Sequence, residues 1–380
     1  MKLKEVKGTL PAGIYFLSGN EAIAEGAIAA RCNYYAAYPI TPVNELAERM
    51  SIRLPEIGGA FMQMEDEIGS ICSAIGAVWA GARAMVATSG PGFSLMQEGI
   101  GYAAATETPI VIVDGQRGGP SLGSATGVGS GDMMQAKWGS HGDYQIIAVS
   151  PWSVQEAYEL TIRAFNYAER YRTPVIMLTE ASLVHLWEKI QVKGTVELFE
   201  RIKKPGTPLF GPEINGGFHM PSFGEGEKIL VSGTAHTEAG VRKSGDPAVV
   251  AALTTKLHDK IVNYKKEIIE YETFYAEEDL DALVVSYGFT ARSCLYAVRE
   301  LQQKGKKVGM LRLITIWPFP DTIIKQFGTK TKKILVPEMN KGQIAGEITK
   351  YARCDVISYS QVNAEIIYPD AITKELERVV

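Results

Sequence analysis

Residues 64–92 read MEDEIGSICSAIGAVWAGARAMVATSGPG, and three features of this stretch decide the fold. Three consecutive acids, Glu65, Asp66 and Glu67, stand at the carboxyl end of an apolar run, AFMQME. A nearly uncharged stretch rich in Gly, Ala and Ser follows, too short to span a bilayer and suited to a buried, closely packed helix. The next apolar run, RAMVATSG, ends in Ser-Gly-Pro-Gly, which stops a strand and frees backbone amides at the start of a helix near Phe93. This is a βα unit feeding a parallel sheet. Acids at a helix N-terminus also complement its dipole, so the three carboxylates need not share one role.

The same alternation extends outward in both directions. Strands are expected at residues 14–19, 33–40, 60–65, 83–90, 109–115, 145–150 and 174–180, each followed by a helical pattern. Ligands of open α/β sheets sit past the carboxyl ends of the strands, so the turns there are the places to inspect. One of them is long and glycine-rich: residues 115–143, GQRGGPSLGSATGVGSGDMMQAKWGSHGD. Loops of that length are functional or disordered. Residues 191–279 lose the pattern and form an irregular connector, within which Asp246-Pro247 predicts the start of a long helix reaching about residue 273. A second α/β pattern follows, with strands at 281–288, 307–313, 332–340 and 355–360 and helices at about 290–304 and 342–351. The division expected is 1–190, 191–279 and 280–380.

The 380 residues exceed what one core organises, and 46% hydrophobic with 22% charged residues is ordinary for a globular protein. With 39 basic and 43 acidic side chains the net charge is -4, which offers no footprint for nucleic acid or an anionic membrane. Cys32, Cys72, Cys294 and Cys354 lie far apart, without the spacing of a zinc, iron-sulfur or redox motif, so no metal is expected on this chain. The N-terminus lacks an apolar secretory core, and the cytoplasm is the expected location. No GxxxxGK[ST] loop is present and no GxGxxG directly follows a strand, which removes the usual parts of a nucleoside triphosphatase or a Rossmann dehydrogenase.

The acids, the small-residue helix and the Ser-Gly-Pro-Gly stop resemble the pyrimidine-binding domain of thiamine diphosphate enzymes, as in acetolactate synthases. Further segments narrow the resemblance: GNEAIAEGAIAA, YPITP, QMEDE, ATSGPGFSLMQEGIGYA, QRGGPS, GDMMQAKWGSHGD and VPEMNKGQ. In this order they resemble the α subunit of 2-oxoacid:ferredoxin oxidoreductases, over about residues 17–352. The fold this implies is α/β: a pyrimidine-binding domain with a parallel sheet flanked by helices, plus a smaller domain like the C-terminal domain of transketolase. The function implied is that of an oxidoreductase subunit in a hetero-oligomer of anaerobic metabolism. It carries out oxidative decarboxylation of a 2-oxoacid with coenzyme A, giving acyl-CoA, carbon dioxide and reduced ferredoxin.

Thiamine diphosphate would be shared with a partner β subunit carrying Mg²⁺ and a 4Fe-4S cluster, with γ and δ subunits and ferredoxin as further partners. The resemblance puts Glu67 at the aminopyrimidine ring, with Glu65 as runner-up, and Ser89 and Gly90 against the cofactor. A carboxyl sharing a proton with the ring nitrogen favours the imino tautomer that activates the cofactor. It also implies that Thr41 of YPITP and Arg117 of GQRGGP bind the substrate. A guanidinium holds a carboxylate through two parallel hydrogen bonds. The residues alone leave open a helix N-cap at Thr41 with Pro42 at N1, a loop-pinning role for Arg117, loop organisation by His141 and Asp143, and a turn at Asn340. After GGPS the family commonly continues Thr-Gly-Leu-Pro-Thr and then Gln-Gly-Asp, where this chain has Leu122 to Thr126 as LGSAT and Ser130-Gly131-Asp132. The substrate favoured is 2-oxoglutarate, ahead of pyruvate and branched-chain or aryl 2-oxoacids. The rival readings are a stand-alone thiamine lyase of the acetolactate synthase type and a non-catalytic assembly subunit with the same fold.

Overall fold

A computed structural model describes residues 3–277 and 279–380. Its larger sheet has the order Thr315–Trp317, Ile147–Val149, Val175–Glu180, Ile110–Gly118, Ala84–Thr88, Tyr34–Ala37, Ala60–Gln63. The strands run parallel except the first, which joins from far downstream and is antiparallel. The smaller sheet has the order Tyr271–Phe274, Val308–Leu313, Leu280–Tyr287, Thr331–Glu338, Asp355–Ser360, parallel apart from its antiparallel first edge.

Side-chain alternation along the central strand Ile110–Gly118 divides the core into two layers. Ile110 and Ile112 face a cluster that includes Ile71, Phe93, Met133 and the second sheet's Leu283 and Leu311. Val111 and Val113 face the opposite layer, with Ile23, Leu46 and Phe165. The helix Glu67–Trp79 packs into the first layer through Ile71, Ala74, Ile75, Val78 and Trp79, an i, i+3, i+4 stripe. Each large apolar side chain buried there contributes about 1.5 to 3 kcal/mol. The helix Gln97–Ala105 approaches it so closely that a Cβ on Gly99 would strike the Ile71 side chain.

Several expectations are corrected. The segment 14–19 is a strand, Gly13–Ser18, but it pairs antiparallel with Trp187–Val192 in a separate two-stranded sheet. The connector helix ends at Val262 and a short turn Lys265–Ile268 follows, because YETF (Tyr271–Phe274) alternates and is taken up as the edge of the second sheet. Residues 115–143 are not one loop. The strand runs on to Gly118, Ser124–Val128 folds back antiparallel to it, and Met133–Trp138 is a helix. The helix expected near Phe93 starts earlier, at Gly90. Among the described residues no helix is long and apolar enough to cross a membrane.

Candidate active site

The three consecutive acids separate cleanly in space. Glu65 is exposed. Asp66 caps the helix Glu67–Trp79, its Oδ1 accepting from the Gly69 N–H at 2.7 Å. Glu67, the first residue of that helix, is 4% exposed, and its Oε1 accepts from Thr88 Oγ1 at 3.3 Å. Thr88 ends the neighbouring strand, and the Ser-Gly-Pro-Gly turn begins directly after it. The backbone of that turn passes so near the carboxyl that a Cβ on Gly92 would overlap both Glu67 Oε1 and Thr88 Oγ1. Ser89 is fully buried and its Oγ has no hydrogen-bond partner among the described residues. One carboxyl oxygen is therefore fixed by a strand-end hydroxyl, and Oε2 makes no such bond among the described residues.

Arg117 is 7% exposed and lies one residue before the end of its strand. Its Nη1 donates to the Thr41 carbonyl at 2.7 Å and its Nη2 to the Leu122 carbonyl at 3.2 Å, while Nε is buried without a partner among the described residues. The arginine therefore does pin the glycine-rich segment, and it ties that segment to YPITP. Thr41 is not a helix N-cap: the helix Asn44–Glu56 starts further on, with Val43 at its cap and no side-chain cap bond. Thr41 keeps its side chain half-buried beside the arginine's anchor point.

A cleft of about 420 Å³ opens here, lined by Gly90, Pro91, Arg117, Asp132, Met339 and Asn340 among others. A larger cavity of about 1020 Å³, around Arg163, Tyr167 and Arg170, contains none of the residues singled out above. The cleft's far wall comes from the second sheet's domain, which grips the glycine-rich segment. Asn340 Nδ2 donates to the Ser130 carbonyl at 2.7 Å, Gln343 Nε2 to the Gly131 carbonyl at 2.6 Å, and Trp317 Nε1 to the Met133 carbonyl at 2.8 Å. Asn340 Oδ1 also accepts from the Gly342 and Gln343 amides, so the turn expected at this motif and the clamp are the same structure. Asn340 is oriented by the Tyr287 hydroxyl, which in turn donates to Glu338 at 2.7 Å. His141 and Asp143 are exposed and do not line the cleft.

Sequence reading passed over two acids. Asp114, in PIVIVDG, is fully buried opposite Thr88 in the sheet, and neither of its carboxyl oxygens has a donor among the described residues. Asp132 faces it from the start of the helix Met133–Trp138, with Oδ2 likewise buried. An aspartate inside an otherwise apolar strand was the available signal.

A strand-helix-strand frame thus buries one glutamate over a glycine turn, next to a cleft lined by an arginine. Residues 25–255 match the model of the pyruvate flavodoxin/ferredoxin oxidoreductase thiamine diphosphate-binding domain, and residues 281–372 that of pyruvate:ferredoxin oxidoreductase core domain II. The chain belongs to this oxidoreductase family.

It is 46% identical over 369 residues to the 2-oxoglutarate synthase subunit KorA of Methanothermobacter marburgensis, covering 95% of this chain and 98% of that one. It is 47% identical over 373 residues to KorA of Methanocaldococcus jannaschii (97% and 99%). Identity is 34% to the ketoisovalerate oxidoreductase subunit VorB of Methanothermobacter thermautotrophicus (96% and 97%). The solved 2-oxoglutarate:ferredoxin oxidoreductase of Magnetococcus marinus, with 2-oxoglutarate, coenzyme A and succinyl-CoA bound, superposes with TM-score 0.90 at 30% identity. The match covers 96% of this chain but 65% of that one. A split-gene transketolase shares the fold at TM-score 0.55 and 10% identity.

The residues present fit the aminopyrimidine end of thiamine diphosphate: a buried carboxyl with one oxygen held, and a glycine backbone leaving room for it. Gly92→Ala tests that fit. The added methyl must displace either the carboxyl or the turn, at about 1 to 3 kcal/mol for overpacking. We expect turnover of the assembled enzyme to fall by at least about tenfold. Thermal melting of the same sample checks that the fold survives.

Proposed function

We propose that this chain is the α subunit of a 2-oxoglutarate:ferredoxin oxidoreductase. The assembled enzyme converts 2-oxoglutarate, coenzyme A and oxidised ferredoxin to succinyl-CoA, carbon dioxide and reduced ferredoxin. The observation that carries the reading is the burial of Glu67 over Gly92, beside the cleft that Arg117 lines. The choice of substrate is supported by the names of the relatives, which are 2-oxoglutarate synthases at 46% and 47% identity against a ketoisovalerate enzyme at 34%.

Thiamine diphosphate, when bound, supplies the carbon nucleophile for the oxo carbon and accepts the electrons left by decarboxylation. This chain's residues hold and orient. Glu67 would hold a proton at the aminopyrimidine ring nitrogen, and Ser89 and Gly90 would contribute to holding the cofactor. Arg117 and Thr41 receive the carboxylate next to the reacting carbonyl. The glycine-rich segment, gripped by Asn340 and Gln343, walls the pocket from water. A β subunit contributes the diphosphate site, Mg²⁺ and a 4Fe-4S cluster, and γ and δ subunits complete a cytoplasmic complex that hands electrons to ferredoxin. The division is 1–190 for the pyrimidine-binding domain, 191–279 for the connector and 280–380 for the transketolase C-terminal-like domain, with Tyr271–Phe274 of the connector lending an edge to the second sheet and Thr315–Trp317 an edge to the first. Competition among 2-oxoglutarate, pyruvate and 2-oxoisovalerate in the co-expressed complex tests the reading, and a preference for either of the latter overturns the substrate.

Arg117→Lys keeps the charge and loses the fork. If the guanidinium binds the substrate carboxylate, KM rises for every 2-oxoacid by about 1.5 to 3 kcal/mol, the scale of a lost charge-assisted bond. Thr41→Val should cost less. Because Arg117 also holds the Leu122 carbonyl, a small drop in melting temperature accompanies the kinetic effect. A drop in melting temperature with KM unchanged leaves the arginine as a loop pin alone.

A further inference from the structure

Asp114, fully buried, and Asp132, half-buried with its Oδ2 enclosed, are two acids beside the cleft that the proposed chemistry leaves unused. Asp114 sits on the face of the sheet that carries Thr88 and Gln116, under the turn that starts at Ser89. Neither of its oxygens finds a donor among the described residues, which for an isolated buried carboxylate is costly. The group facing it is another carboxyl, that of Asp132, whose Oδ2 is equally buried. Two acids in contact and without other donors satisfy each other by holding one proton between them.

We propose that Asp114 and Asp132 share a proton in a carboxyl pair that pins the end of the glycine-rich segment to the sheet, and so fixes the wall of the cleft opposite the substrate's carboxylate. They are positioning residues. The geometry supports this at three points: Asp132 lines the cleft, its backbone N–H donates to Gln116 Oε1 at 3.1 Å, and Gly131 immediately before it is held by Gln343. A single shared proton thus adds a side-chain fastening to a segment tied here mainly through the Ser130 and Gly131 carbonyls and the Asp132 amide.

The charged surroundings give the direction of any pH effect. Arg117, on the same strand as Asp114, attracts Asp132. Glu67 lies beyond Thr88, and Glu180 stands on the next strand, opposite Gln116. Burial raises the affinity of both aspartates for protons, Asp114 further because Asp132 faces it. With one proton the pair presents a single negative charge to Arg117. Losing it adds a second, which repels the pair apart and competes with an incoming carboxylate for the same guanidinium. KM for the 2-oxoacid therefore rises toward alkaline pH while kcat changes less.

This inference rests on the proposed function, and the experiment separates the two. In the co-expressed complex, KM and kcat for 2-oxoglutarate are measured from about pH 6 to about pH 9.5 for wild type, Asp114→Asn and Asp114→Leu. Hydrogen exchange of the peptide covering residues 119–132 is followed on the same samples. Asparagine donates to Asp132 at every pH, so Asp114→Asn should keep KM within about threefold of wild type at neutral pH and lose the alkaline rise. Leucine cannot donate, so Asp114→Leu should raise KM by at least about tenfold and deprotect the peptide. The proposal is overturned if Asp114→Asn keeps the alkaline rise, or if Asp114→Leu leaves both KM and exchange unchanged. Should Asp114→Leu not assemble, the pH profile of Asp114→Asn decides alone. Absence of 2-oxoglutarate turnover in wild type overturns the functional reading instead, and the exchange data still judge the pair.

Discussion

Glu67→Gln, in the assembled complex, should lower turnover by about 10²-fold or more while leaving the fold and the subunit assembly intact. The substitution preserves shape and burial, and the amide can still meet Thr88. What it removes is the ionisable carboxyl that the proposed function places at the ring nitrogen. The same change at Glu65 should have almost no effect, because that side chain is exposed and Glu67 alone is enclosed by Thr88 and Gly92. Asp66→Asn should also be mild, since asparagine caps a helix about as well as aspartate. Steady-state kinetics on the three variants, with calorimetric titration of thiamine diphosphate, read these expectations directly. Collapse of activity in Glu65→Gln with Glu67→Gln unaffected would move the role by two residues, and full activity in both would sink the thiamine reading.

The stretch from Met64 to Gly92 was legible because its signals are local. An N-cap acid, an apolar stripe at helical spacing and a proline-glycine stop each act within one turn of chain, and the packing partner of each is supplied by its neighbours. Burial of Glu67 rather than Glu65 also follows from local geometry, since the first residue of the helix turns inward while its cap and the residue before it face solvent.

Less legible were features fixed by distant partners. Thr315–Trp317 is too short to announce itself, and it is a strand because Ile147–Val149 offers it an edge. YETF lay within an expected helix, where an alternating pattern was the weaker of two signals until the second sheet's edge selected it. The strand at Gly13–Ser18 had the right composition for the main sheet, but its distant partner Trp187–Val192 draws it away into an antiparallel pair, and no local property distinguishes the two outcomes. The site shows the same division. Glu67, Thr41 and Arg117 stand in motifs, whereas the clamp from Asn340 and Gln343 to Ser130 and Gly131 joins residues some two hundred positions apart, and the pairing of Asp114 with Asp132 depends on where that segment lands.

The isolated chain should reduce no ferredoxin and bind thiamine diphosphate at least about tenfold more weakly than the complex does. The chemistry needs one-electron acceptors near the cofactor, and thiolate ligands to build them. This chain's cysteines are placed otherwise. Cys32 and Cys294 are fully buried in separate apolar clusters, where burial pushes each thiol up to about 12, far from the thiolate a cluster requires. Cys72 is exposed on the helix that follows Glu67, and Cys354 lies at the margin of the second sheet. Among the described residues no group of three or more His, Cys, Asp or Glu side chains could hold a metal ion.

Meanwhile Tyr38, Ile68, Leu95 and Leu122, within five positions of the site residues in sequence, are 43%, 49%, 47% and 74% exposed. Exposed apolar side chains of this kind are what a partner subunit would cover. Co-expression with a cluster-bearing β chain should restore turnover, and replacing Leu122 or Leu95 by aspartate should weaken assembly before it weakens the fold. Turnover by the purified chain alone would place the whole cofactor site here and revive a stand-alone thiamine lyase.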